Sequence, residues 1–194
     1  MAAKRAGKPA TYDDLLKLPE NVIGELMGGE LIVSPRPAGP HTLAGSTIGG
    51  DLNSSFSRPP GGPHGPGGWW ILFEPELHFH GDILVPDLAG WRRERMPRVP
   101  EGHAFELAPD WVCEIISPSS VRRDRGRKLD IYSRELVPWV WLVDPAARTL
   151  EVFRRDDDAA WKLVQSFGEE PVNAVRAQPF DAIELDLTRW FPEP

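Results

Sequence analysis

The sequence predicts a mixed α/β domain, and three observations carry that prediction. Short runs rich in Val, Ile, Trp and Phe recur between turn-forming residues, as β-strands do. One of them, Trp111-Val112-Cys113-Glu114-Ile115-Ile116, is apolar at every position but one, the pattern of a strand covered on both faces of a mixed sheet. Two longer segments, 41–56 and about 119–135, place apolar residues at helical spacing.

Residues 1–10 are small, basic and proline-containing and read as a loose tail, with a single domain over 11–194. Thr11, with Asp14 three residues on, caps a short helix that must end before Pro19. Ile23–Met27 and Glu30–Val33 flank Gly28-Gly29, a hairpin signal. In the next segment Leu43, Ile48, Leu52 and Phe56 line a helix weakened by its glycines. Residues 59–68 form a proline- and glycine-rich loop. Strands are expected at 69–73, 76–79, 83–87 and 111–116, with 91–108 a long charged connection. Ser119 or Ser120 then caps a helix running to about Glu135. Strands return at 139–143, 149–154, 161–167 and 183–187.

A chain of 194 residues with 41% hydrophobic content can bury one sizeable core. The lone Cys113, inside an apolar run, rules out an intramolecular disulfide and suits a reducing cytoplasm. Neither a signal peptide nor an apolar run of about 20 residues, the length a membrane helix needs, is present. The net charge of −7 argues against a general nucleic-acid coat protein. It leaves a nuclease open, because the basic segments 92–95 and 122–128 could face a phosphate backbone or form solvated surface. Eight Trp residues are consistent with a homodimer interface and equally with a large aromatic core.

Two carboxylates stand where charge is costly. Glu114 shares one face of its predicted strand with Val112 and Ile116, and a buried carboxylate must be paired, protonated or bound to a cation. Asp87 closes Ile83-Leu84-Val85-Pro86 and precedes Leu88 and Ala89; a turn-forming Asp is the plain alternative. Together, on neighbouring strands, they suit a hard divalent cation such as Mg²⁺ or Mn²⁺, which takes oxygen ligands and often only one or two protein carboxylates. A shared ion further requires that the two converge on one side of the sheet. Asp124, Lys128 and Tyr132 fall at i, i+4 and i+8 of the predicted helix and share a face that could look back at Glu114. A Lys placed there would stabilise negative charge at a reacting phosphate; an exposed Asp124–Lys128 ion pair is the alternative. The pair His78 and His80 lacks a third ligand at a recognisable spacing for Zn²⁺.

These motifs carry a family resemblance. The stretch Gly24 to Pro35, then His41, Val85-Pro86-Asp87, Cys113-Glu114-Ile115-Ile116-Ser117-Pro118-Ser119, Lys128 with Tyr132, and Trp139-Val140-Trp141-Leu142-Val143-Asp144-Pro145 resemble, in order and spacing, the Uma-type endonucleases. The likeness spans nearly all of 11–191 and extends to the PD-(D/E)xK superfamily. It implies a restriction-endonuclease-like fold, a central mixed sheet flanked by helices, and metal-dependent phosphodiester hydrolysis, with DNA the expected substrate. Under it Asp87 and Glu114 are the metal ligands. The superfamily Lys lies two residues after the second acid, but Ile116 holds that position here, so its role passes to Lys128. Glu25, His41 and Tyr132 are additional site candidates. The competing expectation is a catalytically inactive nuclease-fold binding module.

Overall fold

The computed structural model describes residues 8–62, 65–116, 124–168 and 174–191, without the side chains of 124 and 125. The expected helix start at Ser119 or Ser120, Ser117, and Arg122 and Arg123 of the basic segment lie outside these residues.

Thr11 caps helix α1 (Tyr12–Leu15), and the Asp14 carboxylate accepts the Thr11 amide at 3.0 Å. Strands β1 (Val22–Met27) and β2 (Glu30–Pro35) form the expected hairpin. Gly28 and Gly29, at φ of 60° and 77°, supply the left-handed turn that would strain most other residues. Helix α2 (Gly39–Phe56) follows, with Pro40 in its first turn, where a missing amide costs nothing.

Then come β3 (Trp69–Phe73), β4 (Glu76–Phe79), β5 (Asp82–Leu84), β6 (Leu88–Arg92), the two-residue β7 (Ala104–Phe105) and β8 (Trp111–Ile115). A π-helical turn at Asp124–Lys128 leads into α3 (Leu129–Arg134). The chain continues through β9 (Trp139–Asp144), β10 (Thr149–Arg155) and β11 (Trp161–Phe167) to a 3₁₀ turn at Leu187–Trp190.

Among the described residues the strands form two mixed sheets, ordered β2-β1-β5-β4-β7 and β11-β10-β9-β8-β6-β3. The parallel pairs are β8 with β9 and β4 with β7. Each strand of the larger sheet divides its side chains between two cores. From β8 and β9, Trp111, Cys113, Ile115, Trp141 and Val143 join Ala44, Ile48, Leu52 and Phe56 of α2 and the C-terminal Leu187 and Trp190. Val112, Val140 and Leu142 face the other way, onto Leu129, Ile131 and Tyr132 of α3 and Met27, Leu77 and Leu84 of the smaller sheet. The larger sheet is therefore covered on both faces, which explains its near-continuous apolar strands.

Three expectations need correction. The run 83–87 is not one strand. Pro86 cannot donate to a ladder, so β5 ends at Leu84 and Val85-Pro86-Asp87 carries the chain from the smaller sheet into the larger. The supposed connection 91–108 contains the end of β6 and all of β7, whose charged flanks hide them from a pattern search. Segment 183–187 makes only an isolated bridge, Val175 to Leu185; Leu185 and Leu187 are buried against the larger sheet rather than paired in it.

Asp82 joins the two halves of the smaller sheet's surroundings. Its buried carboxylate accepts the Gly28 amide and the Arg134 guanidinium, both at 2.6 Å, tying the β1–β2 turn to α3. Asp82→Ala removes the charged acceptor of the partly buried Gly28 hydrogen bond together with the partner of Arg134, and is expected to cost about 1–3 kcal/mol. A urea midpoint equal to that of the parent would refute this role.

Candidate functional site

Glu114 projects from β8 on the face shared with Val112, and it is only 3% exposed. Its charge is answered by the element that follows. The Lys128 ammonium lies 3.1 and 3.0 Å from the two Glu114 carboxylate oxygens, and the Tyr132 hydroxyl donates to Oε1 at 2.5 Å. The one-face arrangement of Lys128 and Tyr132 expected from their spacing is therefore present, and it looks at Glu114. The π-helical turn ending at Lys128 was not foreseen. Such wide turns insert an extra residue and recur at functional sites.

Lys128 also reaches Glu25 on β1, at 3.0 Å from Oε1, and that oxygen accepts the Val85 amide at 3.0 Å as well. Glu25 thus links the lysine to the Val85-Pro86-Asp87 segment. Arg127 secures the same junction from outside: it donates to the Met27 carbonyl at 2.6 Å and to Glu30 at 2.7 Å, holding the π-helical turn against the β1–β2 hairpin. Glu25, Glu114 and Lys128 are each buried to about the same degree. Burying such charges is tolerable only because an ammonium has three donors and the carboxylates supply acceptors for them.

Asp87 stands just before β6. Leu88 pairs with Cys113 in antiparallel register, so one further step places Asp87 opposite Glu114. Instead of extending the ladder, the Asp87 side chain takes the Ile115 amide at 2.6 Å through Oδ2. Its other oxygen lies 2.8 Å from His41 Nε2 on the first turn of α2. That contact has ion-pair proximity without in-line hydrogen-bond geometry, and the buried Nε2 has no acceptor along its own direction.

The six candidates therefore fall into two adjoining groups. Glu25, Glu114, Lys128 and Tyr132 meet on the α3 side of β8. Asp87 and His41 meet at the strand ends on the α2 side, so Asp87 and Glu114 do not converge on one side of the sheet as one shared ion requires. Both carboxylates act on Cys113 between them: burial pushes its thiol well above the usual range, and the charges of Asp87 and Glu114 raise it further. A thiol so held is no nucleophile at neutral pH. Among the described residues no three His, Cys, Asp or Glu side chains are grouped to enclose a metal ion, and the His78 and His80 pair is likewise incomplete.

Solvent meets this region on the Asp87 side. A cavity of about 300 Å³ opens there, lined by His41, Gly45, Phe73, Asp87 and Ile115, with Arg36 at its rim. Phe73 and Gly45 of this lining, and Gly49 behind Phe73, had no functional signal in the sequence taken one by one. Phe73 looked like an ordinary strand residue, and Gly45 and Gly49 looked like mere weaknesses in a helix. The glycines' i, i+4 spacing, which puts them on one helix face, was the available signal.

This two-sheet α/β fold is that of a nuclease-like domain, and it carries a buried carboxylate–lysine cluster beside a strand-end aspartate. The crystal structure of a "putative nuclease belonging to DUF820" from Anabaena variabilis shares this fold, with a TM-score of 0.73 and 27% sequence identity over 94% of this chain and 98% of that one. The chain belongs to the Uma2 family, described as "putative restriction endonuclease", whose model matches residues 9–188. Family and fold together support nuclease function. No curated protein matches the chain. No described helix is long and apolar enough to cross a membrane.

Proposed function

We propose that this chain is a divalent-metal-dependent endonuclease that hydrolyses phosphodiester bonds in DNA. The observation that carries the proposal is the buried contact of Lys128 with Glu114 and Glu25, one residue step from Asp87 across the β6–β8 register. A structural ion pair needs no such convergence of acids from three separate strands or strand ends.

The donor chemistry fits the ion. Glu25, Asp87 and Glu114 offer only carboxylate oxygens, the ligands that Mg²⁺ and Mn²⁺ prefer. The space between Glu25 and Glu114 already holds a positive group, the Lys128 ammonium. Asp87 would be the ligand on the cavity side; Glu114, held by Lys128 on the other side of β8, would join it only once the bound ion drew its carboxylate across, and the ion would polarise the scissile phosphate and acidify a water molecule.

The remaining work belongs to the chain. Lys128 spreads its donors over two carboxylates at rest, and releasing one of them frees an N–H to steady the attacking oxygen or the charge on phosphorus. Tyr132 holds the Glu114 carboxylate in one orientation while the lysine shifts. The Ile115 amide and His41 orient Asp87 from two directions. Glu25 keeps Lys128 in reach and, through the Val85 amide, keeps the Asp87 segment in register.

One assay tests the proposal: supercoiled plasmid is incubated with Mg²⁺ or Mn²⁺ and with the parent protein, Asp87→Ala or Glu114→Ala. The parent is expected to nick the plasmid, and each variant to be slower by roughly 10²–10³-fold, the loss typical of a group acting on transition-state charge. EDTA should abolish cleavage. A parent without activity, or variants as fast as the parent, would sink the mechanism. A non-catalytic binding module draws on one observation, the mutual neutralisation of Lys128, Glu25 and Glu114, and an inactive parent that still binds DNA would favour it.

A further inference from the structure

We infer that the cavity beside Asp87 is a slot for an unpaired nucleobase next to the scissile phosphate, with Phe73 as its stacking platform. The inference rests on the nuclease reading and specifies its substrate class: DNA that is single-stranded or locally unpaired at the cleavage point.

The slot is a product of two glycines. Gly45 and Gly49 lie one turn apart on the face of α2 that meets the strand ends. A methyl group at Gly49 would collide with the Phe73 ring, so the glycine lets that ring lie against the helix backbone. At Gly45 a Cβ would meet only Ile115 Cδ1, at 3.3 Å, which leaves open space above the helix between Phe73 and His41. Any larger residue at 45 would fill it.

Phe73 is the one aromatic among the exposed large hydrophobics of the described residues. It is 52% exposed although it closes a strand whose Trp69 and Ile71 are buried. Its ring is fixed along one edge by Gly49 and borders the same cavity as Asp87 and His41. A flat aromatic surface held in place, with its remaining surface open beside a phosphodiester-cleaving carboxylate, matches the way proteins seat unpaired bases. A paired base cannot enter, because its faces are already stacked within the duplex and must first be withdrawn. Arg36 supplies positive charge at the mouth; its guanidinium is half exposed and paired at 3.0 Å with Glu74, which shares the cavity wall. That placement suits the phosphate flanking a seated base.

The test compares binding of one fluorescent 20-nucleotide strand as a single strand, as a perfect duplex, and as a strand of the same length whose central nucleotides are abasic. Measurements are made in Ca²⁺, with plasmid nicking in Mg²⁺ and Mn²⁺ followed in parallel. The parent should favour the single strand over the duplex by about tenfold or more, since extracting a base costs a few kcal/mol. Phe73→Ala and Gly45→Leu should each weaken single-strand binding by about 5- to 150-fold, the worth of one stacked base. Phe73→Trp should retain it, and none of the three should change affinity for the abasic strand, which a general loss of structure would lower. If the parent nicks plasmid while Phe73→Ala and Gly45→Leu bind the single strand normally, the slot fails and the nuclease reading stands. If the parent neither binds nor nicks, both fall together.

Discussion

Lys128→Met should destabilise the fold by about 3–5 kcal/mol, the usual cost of removing one member of a buried charge pair. Lys128 is 3% exposed, and its ammonium is within 3.1 Å of carboxylate oxygens of both Glu25 and Glu114. The methionine fills most of the lysine's volume, so packing is nearly preserved and the loss is electrostatic. Two carboxylates in a water-poor site would lose their shared cation. The effect would appear as a lowered urea midpoint with an unchanged slope. Adding Glu114→Gln should recover part of it, because the amide needs no counter-charge and can still accept from Tyr132. A double variant as unstable as the sum of the singles would mean that the two groups act independently, against the contact described. Cleavage should be lost in Lys128→Met and should stay lost in the double variant, which separates the stabilising role of the cluster from its chemical one.

Trp141→Ala should be the most damaging substitution in the core, at about 3–5 kcal/mol. Trp141 is fully buried on β9, edge-on to Trp111 and to Phe180, with ring centroids 5.1 and 5.5 Å away, and next to Trp190. Its Nε1 donates to the Gln178 carbonyl at 2.6 Å. An alanine there leaves a cavity that rigid neighbouring rings cannot fill and an orphaned carbonyl. Single domains have only about 5–15 kcal/mol in total, so the variant should melt far below the parent and expose the larger sheet's α2-facing core. Trp141→Phe should fall between the two, keeping most of the ring and losing the hydrogen bond. Thermal unfolding followed by circular dichroism decides; a variant melting with the parent would show that this aromatic cluster does not support the sheet.

The effects differ in what made them visible. Trp141 lies within Trp139-Val140-Trp141-Leu142-Val143, an apolar run that reads as a strand in the sequence. The lysine's part in the cluster was legible through a local rule, the i, i+4 spacing of Lys128 and Tyr132 on one helical face. Even there the wide turn at 124–128 went unseen, since nothing in Asp124-Arg125-Gly126-Arg127-Lys128 distinguishes a π-helical turn from an α-helical one.

Strands β6 and β7 were hidden for a related reason. Their residues are flanked by arginines, prolines and acids, so no period stands out, and they are strands because β8 and β4 offer them ladder partners. Local pattern cannot report a partner more than ten residues away. The converse error, a strand expected at 183–187, arose from alternation that packing uses for burial in the core instead.

The sequence by itself determined the class of fold, the two covered faces of the larger sheet, and the suspicion attached to Asp87 and Glu114, because hydrophobic periodicity and the cost of burying charge are local properties of the chain. Tertiary structure alone decided that Lys128 answers both Glu114 and Glu25, that Asp87 turns to Ile115 and His41, and that two glycines of α2 open a slot beside it. Those outcomes depend on distances between residues up to about a hundred positions apart, and only the folded chain sets such distances.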